Sequence, residues 1–435
     1  MSESKLIAAI DIGTTKIVAL TGKRVGDHQV EVVAIGKNNS IGVQRGVVQN
    51  VEKTAQSIAN ALKDLYKTQS DPIKEVWVGI AGQHVRSLKS SNKIDFEDAN
   101  HEIMFEDIEA LLKQSFETNT EPNEMVVNVA PQSFELANER VQDSPIGKKS
   151  NFIKGNFHLT IAQEDAFNNI SKSLELNEVS VNELVLESIA SAKSVLTKEE
   201  IKEGIALIDI GGGTSDLAIL HNGSVVHSAV IPFGGEVVTS DIMKAFNLEK
   251  RYAEVLKHDY GNLLISKDNK DVITLKNIEG KKIKIKQKDL TFVIKSRVEE
   301  IIALIQFQME LSGYANKIPK GIVLTGGGAL LKDITQLYAF HFNNIPIRIG
   351  KPNKQFFSAG FEGNLNEPIF STATGLLIFG IENEKLKEKE EKLKAAQKDK
   401  KEKMEDKKDK SPKGNPFNFF RNRLENIFNE EDNEI

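Results

Sequence analysis

Two stretches of this chain, Ile7–Lys16 (IAAIDIGTTK) and Ala206–Asp216 (ALIDIGGGTSD), repeat one pattern about two hundred residues apart. Each begins with an apolar run of strand length that ends in an aspartate, and each then passes through glycine and hydroxyl residues. A second apolar run follows, Ile17–Leu20 in the first copy and Leu217–Leu220 in the second. Apolar runs of this length on both sides of a glycine turn predict two β-hairpins.

The composition of these turns suits a bound phosphate group. Glycine lets backbone amides approach an anion closely, hydroxyl groups donate further hydrogen bonds, and an aspartate at a strand end can hold a hydrated magnesium ion. A third glycine turn, Thr325–Leu331 (TGGGALL), follows an apolar strand and is expected to begin a helix. One such turn is weak evidence, because many ordinary β-turns share its composition. Three of them in this order predict a nucleotide site in which two hairpins clamp a triphosphate.

The composition excludes several classes of protein. The 435 residues carry a net charge of −5 and no cysteine, which rules out a disulfide framework, thiol catalysis and cysteine metal sites. Because there is no global basic field, no nucleic-acid partner is expected, and none of the eight histidines shows metal-ligand spacing. No apolar run approaches the roughly 20 residues that span a bilayer, and no signal peptide precedes the first strand. A cytoplasmic protein is predicted, with any membrane contact peripheral.

In the order of its three glycine turns, the chain resembles the superfamily of actin, heat-shock chaperones and sugar kinases over roughly residues 5–382. The resemblance implies an α/β architecture, a duplicated actin-like ATPase fold of the ribonuclease-H-like type, that binds ATP and Mg²⁺. It implies that Asp11 and Asp209 orient water molecules on Mg²⁺. The residues that it places around the nucleotide are Gly13, Thr14, Thr15 and Lys16 at the outer phosphates, Gly211, Gly212, Gly213 and Thr214 in the opposing clamp, and Gly326, Gly327 and Gly328 at the α-phosphate and adenosine.

Four further residues have a functional and an ordinary interpretation. Glu254 and Lys257 stand three apart on one predicted helix face, where the resemblance implies that one binds a ribose hydroxyl and the other stacks along the base; the alternative is a surface ion pair. Glu187 falls where the superfamily places the residue that positions or deprotonates the attacking water. The alternative for Glu187 is a glutamate on a helix face. Trp77, the only tryptophan, is expected in the core rather than in a site.

The position of the first insertion narrows the resemblance. Actin and MreB carry a small subdomain between the third strand and the first helix of the first half, but here that gap is only Gly36–Asn50. The insertion comes instead at residues 83–162, which resembles the FtsA family of cell-division actins and, less closely, the pilus-assembly ATPase PilM. The motif Pro232–Glu236 (PFGGE) adds to the likeness to FtsA.

The predicted organisation therefore has two halves, two inserted subdomains and a C-terminal extension. The first half takes residues 1–82, resumes at 163–200 after the inserted α+β subdomain of 83–162, and closes with a final helix in 361–382. The second half takes 201–233 and 291–360, and it encloses an inserted cleft and partner subdomain at 234–290. A charged linker, 383–414, and an amphipathic membrane-targeting helix with an acidic tail, 415–435, complete the chain.

The terminal segment has the pattern of an interfacial membrane anchor. After the Lys- and Glu-rich linker, Asn415 can cap a helix whose first residue is Pro416. An apolar arc flanked by two arginines follows at helical spacing, formed by Phe417, Phe420, Leu424, Ile427 and Phe428 with Arg421 and Arg423 at its edges. A helix that docks on a protein would show the same stripe. The acidic residues from Glu430 onward would be repelled by anionic lipid, so the helix is expected to end before them.

Two functions from different classes follow from these patterns. In the first, which the resemblance to FtsA implies, the chain is an ATP-binding adaptor that polymerises at the inner face of the cytoplasmic membrane and anchors the FtsZ ring. Its partners are then the C-terminal tail of FtsZ on the second inserted subdomain, further copies of itself, lipid, and other division proteins. In the second, the same clamp serves an enzyme, either a PilM-like ATPase or a sugar-kinase-like protein. ATP hydrolysis is expected to be slow at most.

Overall fold

The structure, a computed structural model, describes residues 5–385 apart from 27–28, 83, 142–143, 267, 277–281 and 359–364. Its strands are β1 (Ile7–Ile12), β2 (Lys16–Val25), β3 (Gln29–Asn39), β4 (Val43–Gln44), β5 (Val47–Val48), β6 (Glu75–Ile80), β7 (Arg86–Asp95), β8 (Glu124–Glu135), β9 (Arg140–Val141), β10 (Phe152–Gln163), β11 (Ser180–Leu186), β12 (Ile205–Ile210), β13 (Ser215–His221), β14 (Ser224–Ile231), β15 (Val272–Lys276), β16 (Lys282–Lys286), β17 (Ile322–Thr325) and β18 (Ile347–Ile349). Its α-helices are α1 (Val51–Leu65), α2 (Phe105–Phe116), α3 (Glu164–Glu175), α4 (Glu187–Val195), α5 (Lys198–Glu203), α6 (Gly235–Phe246), α7 (Lys250–Tyr260), α8 (Gln287–Ser312), α9 (Ile334–His341) and α10, over 371–385.

Both quoted stretches fold as the predicted hairpins. In the first, β1 pairs with β2 antiparallel and Ile12 lies opposite Ile17. In the second, β12 pairs with β13 in the same way and Ile210 lies opposite Ser215. All six residues of β1 and all six of β12 are buried, because each strand is central in its sheet. The two turns therefore leave the cores of two sheets at equivalent places.

The two halves have the same sheet topology. The first sheet has the strand order β11-β6-β1-β2-β3, and the second has β18-β17-β12-β13-β14, so each strand of one has a counterpart in the other. In both, the first hairpin strand also pairs in parallel with the strand that follows the crossover, β6 in the first half and β17 in the second. The crossover helix of the first half, α1, starts where the Asn50 side chain accepts a hydrogen bond from the Lys53 amide. This duplication defines two lobes.

The first insertion lies between β6 and α3 and has a core of its own. Its antiparallel sheet, in the order β7-β10-β8-β9, is covered by α2. Apolar residues of α2 and of this sheet, among them Leu111, Phe134 and Phe157, form a cluster separate from the two main cores. The second insertion, α6, α7 and the β15–β16 hairpin, instead shares the core of the second lobe, since Ile242, Leu256 and related side chains pack in one cluster with α8.

The last described helix returns to the first lobe and crosses α4 closely. A Cβ atom on Gly375 of α10 would overlap the carbonyl oxygen of Ala190 in α4, so only glycine permits this approach. Trp77 is buried in the same core, as expected. Helix α10 continues to residue 385, three positions beyond the predicted end of the final helix at 382. Of the helices among the described residues, none is long and apolar enough to cross a bilayer.

Candidate nucleotide cleft

The two hairpin turns meet face to face between the lobes. A Cβ atom added to Gly212 would overlap the Thr15 side chain, and one added to Gly213 would overlap the Thr14 hydroxyl. The backbone amide of Gly46 donates to Thr14 Oγ1 at 3.0 Å, so the hydroxyl hydrogen of Thr14 is available to another acceptor. Glycine is therefore required at 212 and 213 because the opposite turn approaches so closely. The structure brings the predicted phosphate turns together.

Four carboxylates gather beside these turns. Asp11 is the last residue but one of β1, and Asp209 holds the same place in β12, while Glu187 is the first residue of α4. Asp216 lies directly opposite Asp209 in the strand register. The three aspartates are at most 7% exposed, and the Glu187 side chain packs where a Cβ on Gly79 of β6 would touch it at 2.7 Å.

Burial raises the pKa of every carboxyl group in this cluster. The pKa of Asp11 rises to about 6 although the Lys16 ammonium lowers it, and the pKa of Asp216 rises to about 8 with the charge of Asp209 adding to burial. Burial also raises the pKa of Asp209, and that of Glu187 lies well above its ordinary value. Lys16, whose own pKa is lowered by burial, cannot neutralise four carboxylates. The cluster therefore favours either protons or an added cation.

The donor set fits magnesium held through water. Carboxylate oxygens are the hard ligands that Mg²⁺ prefers, and this ion commonly keeps several of its waters. Within the described residues, no three carboxylate, histidine or cysteine side chains are placed to coordinate one metal ion directly. Asp216 Oδ1 is buried without a hydrogen-bond partner among the described residues, which leaves an acceptor for such a water.

Asp209 is fixed by side chains from the crossing helices of the other lobe. Ser191 of α4 donates to Asp209 Oδ2 at 2.5 Å, and Thr372 of α10 donates to the same oxygen at 3.2 Å. These two hydroxyls lie 3.0 Å apart. Lys16 reaches the same region, since its ammonium donates to the carbonyl oxygen of Ile369 and lies 5.0 Å from the centre of the Phe370 ring. The helix crossing and the cleft thus share one polar network.

The second turn rests on the segment that follows β14. A Cβ on Gly234 would lie 2.6 Å from the Gly211 carbonyl oxygen and 2.7 Å from that of Gly212. The Gly235 amide donates to the Gly211 carbonyl oxygen at 2.9 Å, and the Glu236 amide donates to that of Gly212 at 2.8 Å. The Pro232–Glu236 motif therefore shapes the turn that Gly211, Gly212, Gly213 and Thr214 form.

Glu254 and Lys257 lie beside this segment and bind each other. Their side chains approach to 2.8 Å, and Thr239 Oγ1 lies 2.6 Å from each of them. Lys257 also donates to the Gly235 carbonyl oxygen at 3.2 Å. The two residues thus form the ion pair that the ordinary interpretation expects. The Lys257 side chain is only 16% exposed, and the pair therefore packs against the segment that supports the second turn.

The third glycine turn differs from the prediction. Gly327–Leu330 forms a 3-10 turn, and α9 begins only at Ile334. The helix does not start at the glycines because Gly326 (φ 80°) and Asp333 (φ 65°) both take left-handed backbone conformations that redirect the chain. A Cβ on Gly326 would overlap the Asp209 carboxylate, so Gly326 still borders the carboxylate cluster. The neighbouring Gly327 and Gly328 follow in the 3-10 turn.

Several residues of the cleft were not singled out by the sequence. Asp216 lies within the motif 206–216 and could have been predicted from the hairpin register. A four-residue turn at 211–214 places residue 216 opposite residue 209. Ser191 and Thr372 had no such signal, because they reach Asp209 only through the packing of α4 and α10. Arg45, in the turn between β4 and β5, is likewise brought to the second turn by the fold.

Two lobes of equal topology, with facing hairpin turns and a polar cleft between them, define an actin-like ATPase fold. The family profile "Cell division protein FtsA" matches residues 206–375, and the profile "SHS2 domain inserted in FTSA" matches residues 82–161. The cell division protein FtsA of Pseudomonas aeruginosa is 34% identical over 386 residues, which cover 88% of this chain and 91% of that protein. The FtsA of Neisseria meningitidis is 30% identical and covers 86% of this chain and 90% of its own length.

The chain belongs to the FtsA family of cell division proteins. Solved structures agree on the fold: a PilM-PilN type IV pilus biogenesis complex superposes with a TM-score of 0.62 at 16% identity, over 86% of this chain and 98% of that one. MreB5 of Spiroplasma citri bound to ADP gives a TM-score of 0.54 at 18% identity, over 88% and 98%. The predicted duplicated actin-like fold and the recognition of the family are confirmed. The predicted terminal helix, with Phe417, Phe420 and the rest of its arc, and the linker from residue 386 lie outside the described residues.

Proposed function

We propose that this chain binds ATP with Mg²⁺ in the cleft and acts as a filament-forming adaptor that joins the FtsZ ring to the inner face of the cytoplasmic membrane. The observation that carries the nucleotide part is the surplus of buried carboxylates around Lys16, next to two glycine turns in contact. Such a cluster is costly to bury unless a cation and its ligand belong there.

Each predicted residue has a role in this proposal. Mg²⁺, when bound, neutralises phosphate charge and orders water. Asp11 and Asp209 hold that water, and Lys16 pairs with an outer phosphate once it leaves the Ile369 carbonyl. The hydroxyls of Thr14 and Thr15 and the amides of Gly13 and residues 211–214 donate to phosphate oxygens. Gly326, Gly327 and Gly328 border the α-phosphate, and Glu254 and Lys257 exchange their mutual contact for the ribose and base.

Glu187 is proposed to position water rather than to drive fast hydrolysis. Burial, with the nearby charges of Asp11, Asp216 and Asp209, raises the pKa of Glu187 well above its ordinary value, which favours the protonated form of this carboxyl group. A protonated carboxyl group can orient water but cannot accept its proton. Hydrolysis is then slow, which suits a nucleotide that sets the arrangement of the lobes.

The nucleotide assignment is tested by Asp209→Ala. This variant removes the carboxylate held by Ser191 and Thr372, and magnesium-dependent ATP binding should be lost in isothermal titration calorimetry. Asp64→Ala is the matched control, because Asp64 is an exposed aspartate at the end of α1 that pairs with Lys67. Unchanged ATP affinity in Asp209→Ala would refute the placement of Asp209 in the site.

Filament formation is proposed to depend on the angle between the two lobes. The lobes meet where β12 and β13 of the second lobe pack against α4 of the first. A phosphate group placed between the turns forces Gly213 and Thr14 apart, because they now touch. The two lobes then change their relative angle, and a ligand that prefers one angle shifts the population toward it. Sedimentation with Mg-ATP should give more polymer than sedimentation with ADP. Equal polymer under both conditions would contradict a nucleotide-controlled assembly.

The membrane part rests on the sequence of 415–435. A single short apolar arc binds weakly after the cost of ordering a helix is counted, so attachment should become firm only when a filament presents many copies. Liposome sedimentation with Mg-ATP compares the full chain with a version that ends at Pro412. Phe420→Ser and Phe419→Ser form a matched pair, because helical spacing predicts that Phe420 falls within the apolar arc and Phe419 outside it. Equal pelleting of full-length and shortened chains would refute the anchor.

The second inserted subdomain is proposed to bind the C-terminal tail of FtsZ. Its β15–β16 hairpin exposes half of Val272 and three lysines, Lys282, Lys284 and Lys286, which together suit a peptide with apolar and acidic side chains. Fluorescence anisotropy with a labelled FtsZ-tail peptide should show weaker binding for Val272→Ser. Leu176→Ser is the control, since Leu176 is an exposed leucine at the end of α3 in the other lobe. Equal affinity of both variants for the peptide would refute the placement of the FtsZ-tail site on this hairpin.

A further inference from the structure

Arg45 occupies an unusual position at the edge of the cleft. It lies in the turn between β4 and β5 with φ 49°. This left-handed backbone conformation is energetically unfavourable for every residue except glycine. Its Cα lies 2.8 Å from the place where a Cβ of Gly213 would be. Its neighbour Gly46 donates to Thr14 Oγ1 at 3.0 Å. The backbone of Arg45 is therefore held against both phosphate turns at once.

The guanidinium of Arg45 carries a charge that no carboxylate offsets within the described part of the chain. It lies 5.9 Å from the centre of the Phe233 ring, and its side chain is exposed. Arg297 lies at the same distance from the same ring, but its guanidinium binds Asp241 at 2.5 Å and also pairs with Glu300. Arg297 is thus neutralised by two carboxylates, whereas Arg45 offers all its donors.

Lys16 alone cannot offset the charge of all the outer phosphates. Three carboxylates, Asp11, Asp209 and Glu187, already act on its ammonium. A triphosphate adds one more anionic group than a diphosphate, and this group has to meet a further cation at the outer end of the turns. Arginine is suited to it, because its planar guanidinium binds two phosphate oxygens together.

We propose that Arg45 binds the outermost phosphate of the triphosphate and thereby makes the cleft prefer ATP over ADP. The inference rests on the proposed nucleotide function. In this role Arg45 leaves Phe233 and turns toward the phosphate between Thr14 and Gly213. The strained turn is then part of the site, because its fixed backbone holds the Arg45 side chain next to the phosphate.

The competing explanation is a closing contact in which Arg45 only stacks on Phe233 and holds the lobes together. The two explanations predict different selectivity. A contact to the last phosphate affects ATP alone, because ADP lacks that group. A stacking contact between the lobes affects ATP and ADP equally.

Affinities of the full-length chain for Mg-ATP and Mg-ADP, measured by calorimetry, separate these explanations. Arg45→Ala should weaken ATP binding about 10- to 100-fold and ADP binding less than about twofold, and Arg45→Lys should recover part of the loss. Phe233→Leu removes the stacking ring but keeps the charge, so the ratio of the two affinities should not change. Arg297→Ala is the second control, as it removes the other guanidinium from the same ring.

Three results would overturn the assignment. An equal loss for ATP and ADP in Arg45→Ala would make Arg45 a closing contact, and an unchanged ATP affinity would leave it no role in binding. A Phe233→Leu variant with the same selectivity loss as Arg45→Ala would show that the selectivity does not come from the Arg45 charge, which that variant keeps. If the unmodified chain binds neither nucleotide, the proposed function fails together with this inference, whereas the other results overturn Arg45 alone.

Discussion

The contact between the first inserted subdomain and the second lobe should weaken as the pH falls, because it depends on a neutral histidine. His158 of β10 is 2% exposed, and its Nε2 lies 3.2 Å from Ser228 Oγ of β14 and 3.3 Å from Ser87 Oγ of β7. Burial, together with the nearby charges of His227 and Lys89, lowers the pKa of His158 to about 4. A proton on His158 would be buried beside two other basic groups.

The size of the effect follows from the two pKa values. In the unfolded chain His158 titrates near 6.5, and in the folded chain near 4. The unfolded chain therefore binds more protons between these values, and stability is complete above pH 6.5 and is lost as the pH falls toward 4. Linkage over the interval from pH 7 to pH 5 gives a loss of about 2 kcal/mol from this one side chain.

Urea unfolding followed by circular dichroism at pH 7 and pH 5 measures this loss. The comparison is between the original chain and His158→Gln, in which an amide replaces the ring nitrogen and does not titrate. The original chain should lose about 2 kcal/mol more than the variant over this interval. His258→Gln is the control, since the His258 side chain is 78% exposed and should leave the pH dependence as it is. Parallel losses in the original chain and His158→Gln would refute the reasoning.

Three further predictions concern the cleft, the helix crossing and a helix cap. Asp216→Asn should raise the melting temperature in the absence of nucleotide by a few degrees, because a carboxyl group whose pKa rises to about 8 has to take up a proton on folding at pH 7, which costs stability. In calorimetry the same variant should lose stabilisation by Mg-ATP, and a lower melting temperature would contradict this prediction. Gly375→Ala should cost about 1–3 kcal/mol in urea unfolding because the new methyl group overlaps the Ala190 carbonyl, whereas Gly327→Ala, whose Cβ would have its nearest neighbour at 3.8 Å, should cost far less. Asn50→Ala should cost about 1 kcal/mol in the same assay through loss of the α1 cap, and no change would mean that water replaces the cap.

The sequence predicted the elements whose signals are local. The hairpins at Asp11 and Asp209 follow from short apolar patterns on both sides of a glycine turn, and the structure has them as expected. The 3-10 turn after Gly326 did not follow, because a left-handed Asp333 has no sequence signal strong enough to delay a helix. A local sequence pattern predicts a helix or strand correctly when the residues within that element are enough to stabilise it.

Contacts between distant segments set the limit of that prediction. Thr372 meets Asp209 from 163 residues away, and Arg45 meets Gly213 across the cleft. Neither contact leaves a periodic or compositional trace, since each depends on how two lobes pack. The raised pKa of Asp216 could not be predicted for the same reason. The sequence motif contains this aspartate, but its burial among other carboxylates depends on how the lobes pack.

The first inserted subdomain is attached to both lobes, and this links it to the cleft. Its chain enters from β6 and leaves into α3, which fixes it covalently to the first lobe. It is held to β14 of the second lobe by Ser87, which donates to the Ser228 carbonyl oxygen at 2.5 Å, and by Gln132, which donates to that of Val225 at 2.5 Å.

Strand β14 ends at Ile231, three residues before Gly234, which packs against the second phosphate turn. A ligand that moves this turn relative to the first lobe must therefore either carry β14 past the inserted subdomain or take the subdomain with it. Because sliding would break these partly buried hydrogen bonds, it costs more than moving the subdomain as a body. The position of the inserted subdomain should therefore follow the angle between the two lobes.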